Sequence, residues 1–324
     1  MTYSSGGLIE ATDYNNFAGQ VNNFWSVGAT DQGWGQTAIS AVSLGGVVTA
    51  TNWATLVNNL STSGAQTATT ITSRSAPTTG TLVSILANVQ TDITSVSSNR
   101  ANAASSGAEV GYASGTTSKT AATVTGQAAW QIQFTHTVTF PSADQARYFW
   151  NAGGRVRLQY GKSSTGTDLD PDWNTFAGQP GSLYITGIAG AKTIAAVSYT
   201  GTTRIGGTGG TQAILSTGTG WYALTGTLSN LFQLTNAAAP YTGEYILTQA
   251  SATATALTLV TTWFQPAVSA AGTTTDISGG TAPALGATTI TGTAPTTLCT
   301  YFPPSTAQGL SASWGTPSIA ASVA

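Results

Sequence analysis

The stretch Ala129–Phe140, AWQIQFTHTVTF, decides the fold. Ile132, Phe134, Val138 and Phe140 fall on one side with His136 among them, and Gln131, Gln133, Thr135, Thr137 and Thr139 fall on the other. A period of two is that of a half-buried strand, whose successive side chains leave opposite faces of a sheet. The texture returns downstream in SLYITGIAG (182–190), TIAAVSYTG (193–201), AILSTGTGWYALTGTL (213–228) and EYILTQASATATALTLVTTWF (244–264), β-branched and aromatic runs cut by glycine. Their spacing predicts a mainly antiparallel, sandwich-like β region.

Upstream the period is helical. In ATDYNNFAGQVNNF (11–24), Tyr14, Phe17, Val21 and Phe24 recur at steps of three and four. ATNWATLVNNL (50–60) repeats the pattern with Trp53, Leu56, Val57 and Leu60, so the two read as related helices. A third candidate, 81–103, carries Leu82, Leu86, Val89, Ile93 and Val96 as a heptad seam that packs on the other two. Stretches 26–49 and 61–80 read as Gly, Ser and Thr connectors. The expected fold is therefore α+β: a helical attachment or packing domain over 1–104 and a β-rich domain over 105–265. A Pro-, Thr- and Ala-rich extension over 266–324 is expected as strands on that domain or on a neighbouring subunit.

Composition restricts the function. The chain of 324 residues has nine Lys and Arg, eleven Asp and Glu, one His and one Cys, with a net charge of −2. No basic run offers a phosphate-tracking surface, so nucleic acid is not an expected partner. His136 and Cys299 fall short of a zinc site, and neither cofactor nor metal is expected. The start has neither a basic leader nor an apolar core, and no stretch reaches the ~20 apolar residues of a membrane span, so insertion is not expected. Only 6% of residues are charged. Surfaces this poor in charge favour association, and the expected state is a homo-oligomer.

Charge is concentrated in FPSADQARYFWNAGGRVRLQY (140–160). Ser142 followed by Gln145 fits a helix cap, and Gly153 and Gly154 fit a helix stop, so a short helix at 143–151 leads into a strand where Arg155 and Arg157 share one face. Arg147, Arg155 and Arg157 are candidates to pair with Asp144, Asp168, Asp170 or Asp172 and so pin one domain or subunit to another. Arg74, in a connector, is expected to matter less than Arg155. Trp221, Tyr222 and Trp263 are candidates for stacking on sugar rings. His136 lacks the partners of a catalytic triad and falls on an apolar face, so no catalytic residue is assigned. DLDPDW (168–173) departs from the EF-hand pattern and reads as a turn, and RIGGTGGTQ (204–212) as a glycine-rich turn. DWNTFAGQ (172–179) echoes DYNNFAGQ (13–20), but Pro180 and Gly181 stop any helix there.

YSSGGLIEATDYNNF (3–17), GWGQTAIS (33–40), VTATNWATLVN (48–58) and above all ARYFWNAGGRVR (146–157) resemble a family of tailed-bacteriophage virion proteins common among marine phages. The resemblance covers roughly residues 1 to 160, and relatives often read Phe-Phe where this chain has Phe149-Trp150. It implies a place in the virion, assembled in the host cytoplasm, as a non-enzymatic tail, baseplate or fibre component. The partners would be copies of itself and other virion proteins. A host-surface-glycan receptor module and a capsid decoration protein are the alternatives. Relatives carry no assigned activity, so no catalytic residue transfers.

Overall fold

The computed structural model describes residues 10–28, 32–78, 88–111, 117–118, 129–163, 170–236, 242–267, 290 and 294–324. Helices α1 (Ala11–Trp25), α2 (Ala50–Gln66) and α3 (Val89–Ser98) stand where the apolar spacing places them. α2 opens on a capping box between Thr49 and Asn52. α3 begins later than expected, because Asn88 adopts a left-handed conformation with φ 62° and the helix can start only at Val89. Val89, Ile93 and Val96 of the seam are buried, and α3 packs on α1 and α2. Leu82 and Leu86 lie outside the described residues. The corresponding aromatics of the two related helices meet edge to face, Tyr14 and Trp53 at 5.5 Å between ring centres.

The connector after α1 is an extended arm clamped to that helix. The Asn22 side chain donates to Ile39 O and accepts from Ile39 N, both at 2.9 Å. Asn15 does the same for Val42, at 2.8 and 2.7 Å. Two helical turns advance roughly 10 Å, and three extended residues advance roughly the same, so the seven-residue asparagine spacing matches the three-residue spacing of the arm.

Past the helices the described residues of the chain form two six-stranded sheets and a separate two-stranded one, and every strand pairing is antiparallel. Its elements are β1 (Val110–Gly111), β2 (Thr117–Ser118), β3 (Trp130–Thr139), α4 (Ala143–Asn151), β4 (Arg155–Gly161), α5 (Asp170–Gly178), β5 (Ser182–Ile185), the hairpin β6 (Lys192–Ile194) and β7 (Val197–Tyr199), and β8 (Thr202–Ile205). Then come β9 (Thr211–Leu215), a 3-10 turn at Trp221–Ala223, β10 (Ser229–Thr235), β11 (Tyr245–Thr253), β12 (Ala256–Gln265), β13 (Thr296–Phe302) and β14 (Ser318–Val323). One sheet runs β1-β13-β4-β5-β8, with β2 also on β13, and the other runs β14-β3-β12-β11-β10-β9. The fold is thus α+β with a β-rich region.

Inward side chains of the two sheets meet face to face, and polar groups among them are paired across the gap. Tyr160 on β4 bonds Thr248 on β11 at 2.8 Å, and Trp263 Nε1 on β12 donates to Thr297 Oγ1 on β13 at 3.2 Å. Residues after 265 supply β13 to the interior of one sheet and β14 to the edge of the other, both within the same chain. Buried side chains from Tyr14 through Trp314 form one continuous cluster that joins helices and sheets.

DLDPDW is not the expected turn: Asp170 opens α5, and the proline sits in its first turn, where no N–H is needed. The echo of residues 13–20 now has a reason. Asp13, Tyr14, Phe17 and Ala18 are buried on α1, as Asp172, Trp173, Phe176 and Ala177 are on α5, so both octapeptides present the same helical face. In the glycine-rich turn, Gly206, Gly207, Gly209 and Gly210 all have positive φ.

Candidate functional site

Two of the quoted motifs touch. Trp34 Nε1 donates to Asn151 O at 3.2 Å, and Asn151 Nδ2 donates back to Gly33 O at 3.0 Å. Gly35 has φ +71°, and a Cβ there would lie 2.4 Å from the Tyr148 ring. α4 presents Tyr148 and Asn151 as the sequence predicts: Ser142 caps its first turn through Gln145 N at 3.2 Å, and Gly153 ends it with φ +100°. A Cβ on Gly154 would meet Phe149 O at 2.5 Å, so the second glycine is required by close approach. Gln66 Nε2, at the end of α2, donates to Ala152 O at 3.2 Å. The motif residues therefore knit helices to sheets.

Beside this junction opens a cavity of about 230 Å³, lined by Gln32, Arg100, Trp150, Asn151, Lys192 and Tyr222 with Ala101 and Ile188. Its aromatic wall is layered: Trp150 stacks on Trp221 with centres 5.9 Å apart, and Trp221 meets Tyr222 edge-on at 4.9 Å. Tyr222 OH donates to Asn151 Oδ1 at 2.9 Å, which orients the ring. Lys192 is 5% exposed. Its ammonium donates to Thr186 Oγ1 at 3.0 Å and to Ile188 O at 2.7 Å, both neutral acceptors. Burial pushes its pKa down to about 8. Arg100 donates to Ser97 O at 3.4 Å, and among the described residues neither cation has a carboxylate partner.

The arginine cluster does not converge on a site. Arg147 pairs with Asp144 at 2.7 Å within α4, on the surface. Arg157 pairs with Glu109, which also accepts from Thr300, so its partner is none of the expected aspartates. Arg155 is buried with its guanidinium 4.2 Å from the centre of Phe302 and 5.3 Å from that of Tyr199. Ser106 Oγ stands 3.4 Å away, and desolvation lowers its pKa. Asp168 lies outside the described residues. Each described arginine of the cluster thus engages side chains of its own chain. Arg74, which lies in a connector, forms a 2.6 Å pair with Asp92, with both side chains nearly buried.

Of the stacking candidates, Trp263 is 0% exposed and stacks on Trp173 at 5.3 Å, so no sugar can reach it. Trp221 has one face covered by Trp150, and Tyr222 alone of the three lines the cavity. His136 is a packing residue between the sheets: burial drives its pKa down to about 4, opposed by a backbone hydrogen bond to Thr297. Sequence reading missed Arg100 and Lys192. Isolation in sequence does not single them out, since Arg74 and Arg204 stand as far from any acid.

Further charge is buried in the sandwich. Lys162 and Asp170 form a 2.6 Å pair with both side chains 0% exposed. Asn236 Nδ2 donates to Glu244 Oε2 at 2.8 Å and to Asp172 Oδ2 at 3.3 Å. Among the described residues no group of three or more His, Cys, Asp or Glu is placed to hold a metal ion, and no helix is long and apolar enough to cross a membrane. No protein-family model, curated protein or solved structure matches this chain.

Proposed function

We propose that this chain is a non-enzymatic structural protein of a bacteriophage virion, a tail, baseplate or fibre subunit that acts as a homo-oligomer docked among other virion proteins. The carrying observation is where its charges go. Of the sixteen described Lys, Arg, Asp and Glu, eight are buried: Asp13, Asp92, Arg155, Lys162, Asp170, Asp172, Lys192 and Glu244. Half of the described charge is thus withdrawn from a surface already poor in it, which favours association over free dispersal. Leu44 and Val47, 92% and 82% exposed beside the Gly45 turn of the arm, supply apolar surface for such contacts. The resemblance of the motif segments to marine-phage virion proteins agrees with this reading.

Sedimentation and light scattering on the purified protein test it: an oligomer is expected, and Leu44→Asp with Val47→Asp is expected to reduce its mass. A monodisperse monomer at millimolar concentration overturns the reading. A second reading, a receptor-binding module for host glycan, is favoured by the cavity, where Tyr222 and Trp150 present aromatic surface beside two cations.

A further inference from the structure

We infer that the cavity between Arg100, Lys192, Trp150 and Tyr222 binds a single carboxylate-bearing sugar unit of the hexuronate class, its carboxylate on the two cations and its ring against the aromatic wall. The inference rests on the receptor-module reading of the same site and gives that reading its ligand chemistry.

Three observations carry it. First, charge: a buried ammonium is costly to desolvate unless an anion offsets it, yet Lys192 is satisfied only by a hydroxyl and a carbonyl. An ammonium has three donors, so one N–H remains after these two bonds. Elsewhere among the described residues, Arg74, Arg147, Arg157 and Lys162 each have a carboxylate partner, Arg155 lies over the rings of Phe302 and Tyr199, and Arg204 donates to the carbonyls of Pro180 and Gln179. Of the four cations without a carboxylate, two line a single cavity. A fold that keeps such a pair forgoes stability there, which is the pattern of a binding site.

Second, shape and surface. At about 230 Å³ the cavity lies below the ~300–1,000 Å³ of drug-sized pockets and suits one ring rather than a chain. Third, polar edges: Asn151 and Tyr222, joined by the 2.9 Å hydrogen bond, line the same cavity beside Trp150 and set polar groups next to aromatic surface. Aromatic surface with polar edges takes the apolar face of a sugar. A bare inorganic anion would use the cations and leave the aromatic wall idle.

The test uses the full-length protein. Sodium glucuronate, glucose and inorganic phosphate are titrated against it by intrinsic tryptophan fluorescence and saturation-transfer NMR. Saturable glucuronate binding is expected, at least tenfold tighter than glucose or phosphate and weakened by salt. Arg100→Gln and Lys192→Gln are each expected to reduce it at least tenfold, with circular dichroism unchanged. Arg147→Gln, which removes a cation outside the cavity, is expected to leave it intact. Phosphate binding as tight as glucuronate, or an equal loss in Arg147→Gln, overturns the inference. So does an unaltered affinity in the folded Arg100→Gln variant, which does not depend on Lys192 variants folding. Glucose binding as well as glucuronate overturns it while leaving the glycan reading standing, and no saturable binding of either sugar removes both.

Discussion

The side-chain amide of Asn22 meets the backbone of Ile39 as a strand partner would, giving one hydrogen bond and taking one, each 2.9 Å long. Asn15 holds Val42 in the same way. An arm whose sequence reads as an unstructured connector is thereby fixed along a helix.

Asn22→Ala is expected to destabilise the protein by about 2 kcal/mol, because two half-buried backbone groups lose their partners. Asn22→Asp keeps the acceptor for Ile39 N but sets a carboxylate oxygen against Ile39 O, and is expected to cost at least as much. Urea unfolding measures both. Equal stability of wild type and Asn22→Ala would show that the arm is held by packing alone.

His136 makes stability depend on acid. Its pKa is about 4 in the fold and near 6.5 when unfolded. Between those values the unfolded chain binds a proton that the folded chain does not, so stability falls as pH drops from about 6.5 towards 4. The loss by pH 5 is about 2 kcal/mol. It is the only histidine, so His136→Leu is expected to remove this slope, read as unfolding midpoints at pH 7 and pH 5. Only the difference between the two proteins is assigned to His136. Parallel curves would place its pKa near the ordinary value.

What the sequence made legible follows from period and punctuation. The alternation at 130–139, the cap at Ser142 and the stop at Gly153 each appear in the structure where local chemistry put them, because these signals are local. DLDPDW reads as a turn by composition, yet Pro171 fits the first turn of a helix, where its missing N–H costs nothing. Among the arginine partners, Asp144 of Arg147 was legible because it lies one turn away, whereas Glu109 lies 48 residues from Arg157 in sequence, and only the β1-β13-β4 pairing brings it near. Trp221, Tyr222 and Trp263 could not be sorted into core and cavity wall by type, because burial of an aromatic is decided by what packs over it. The cavity itself gathers residues from 32 to 222 and has no linear signature.

The pair of Arg74 and Asp92 reverses an expectation and gives a direct test. Asp92 also accepts from Thr72 N at 3.2 Å, so the carboxylate fixes both the connector and α3. Arg74→Ala leaves this charge buried without its cation, at an expected cost of about 3 kcal/mol. Arg147→Ala breaks a pair whose Asp144 is 64% exposed and is expected to cost less than about 0.5 kcal/mol. A double-mutant cycle with Asp92→Ala is expected to show strong coupling to Arg74. Similar, small losses for Arg74→Ala and Arg147→Ala would mean that water reaches the Asp92 carboxylate.

Lys192 should trade stability for binding. Its folded pKa of about 8 lies below the ordinary 10.5, so between those values the unfolded chain carries a proton that the folded chain lacks, and stability rises with pH there. From pH 7 to pH 8.5, below the ordinary values of the Cys299 thiol and the tyrosines, the gain is about 1 kcal/mol. Lys192→Met removes the ammonium but orphans Ile188 O, which offsets part of the benefit. The variant is therefore expected to be at least as stable as wild type at pH 7, to lose the alkaline rise, and to bind no glucuronate. Unfolding curves at the two pH values check the first two outcomes independently of any ligand. A variant more than about 2 kcal/mol less stable at pH 7 would make Lys192 a structural keystone of the 186–192 loop, with its charge already well compensated inside the fold.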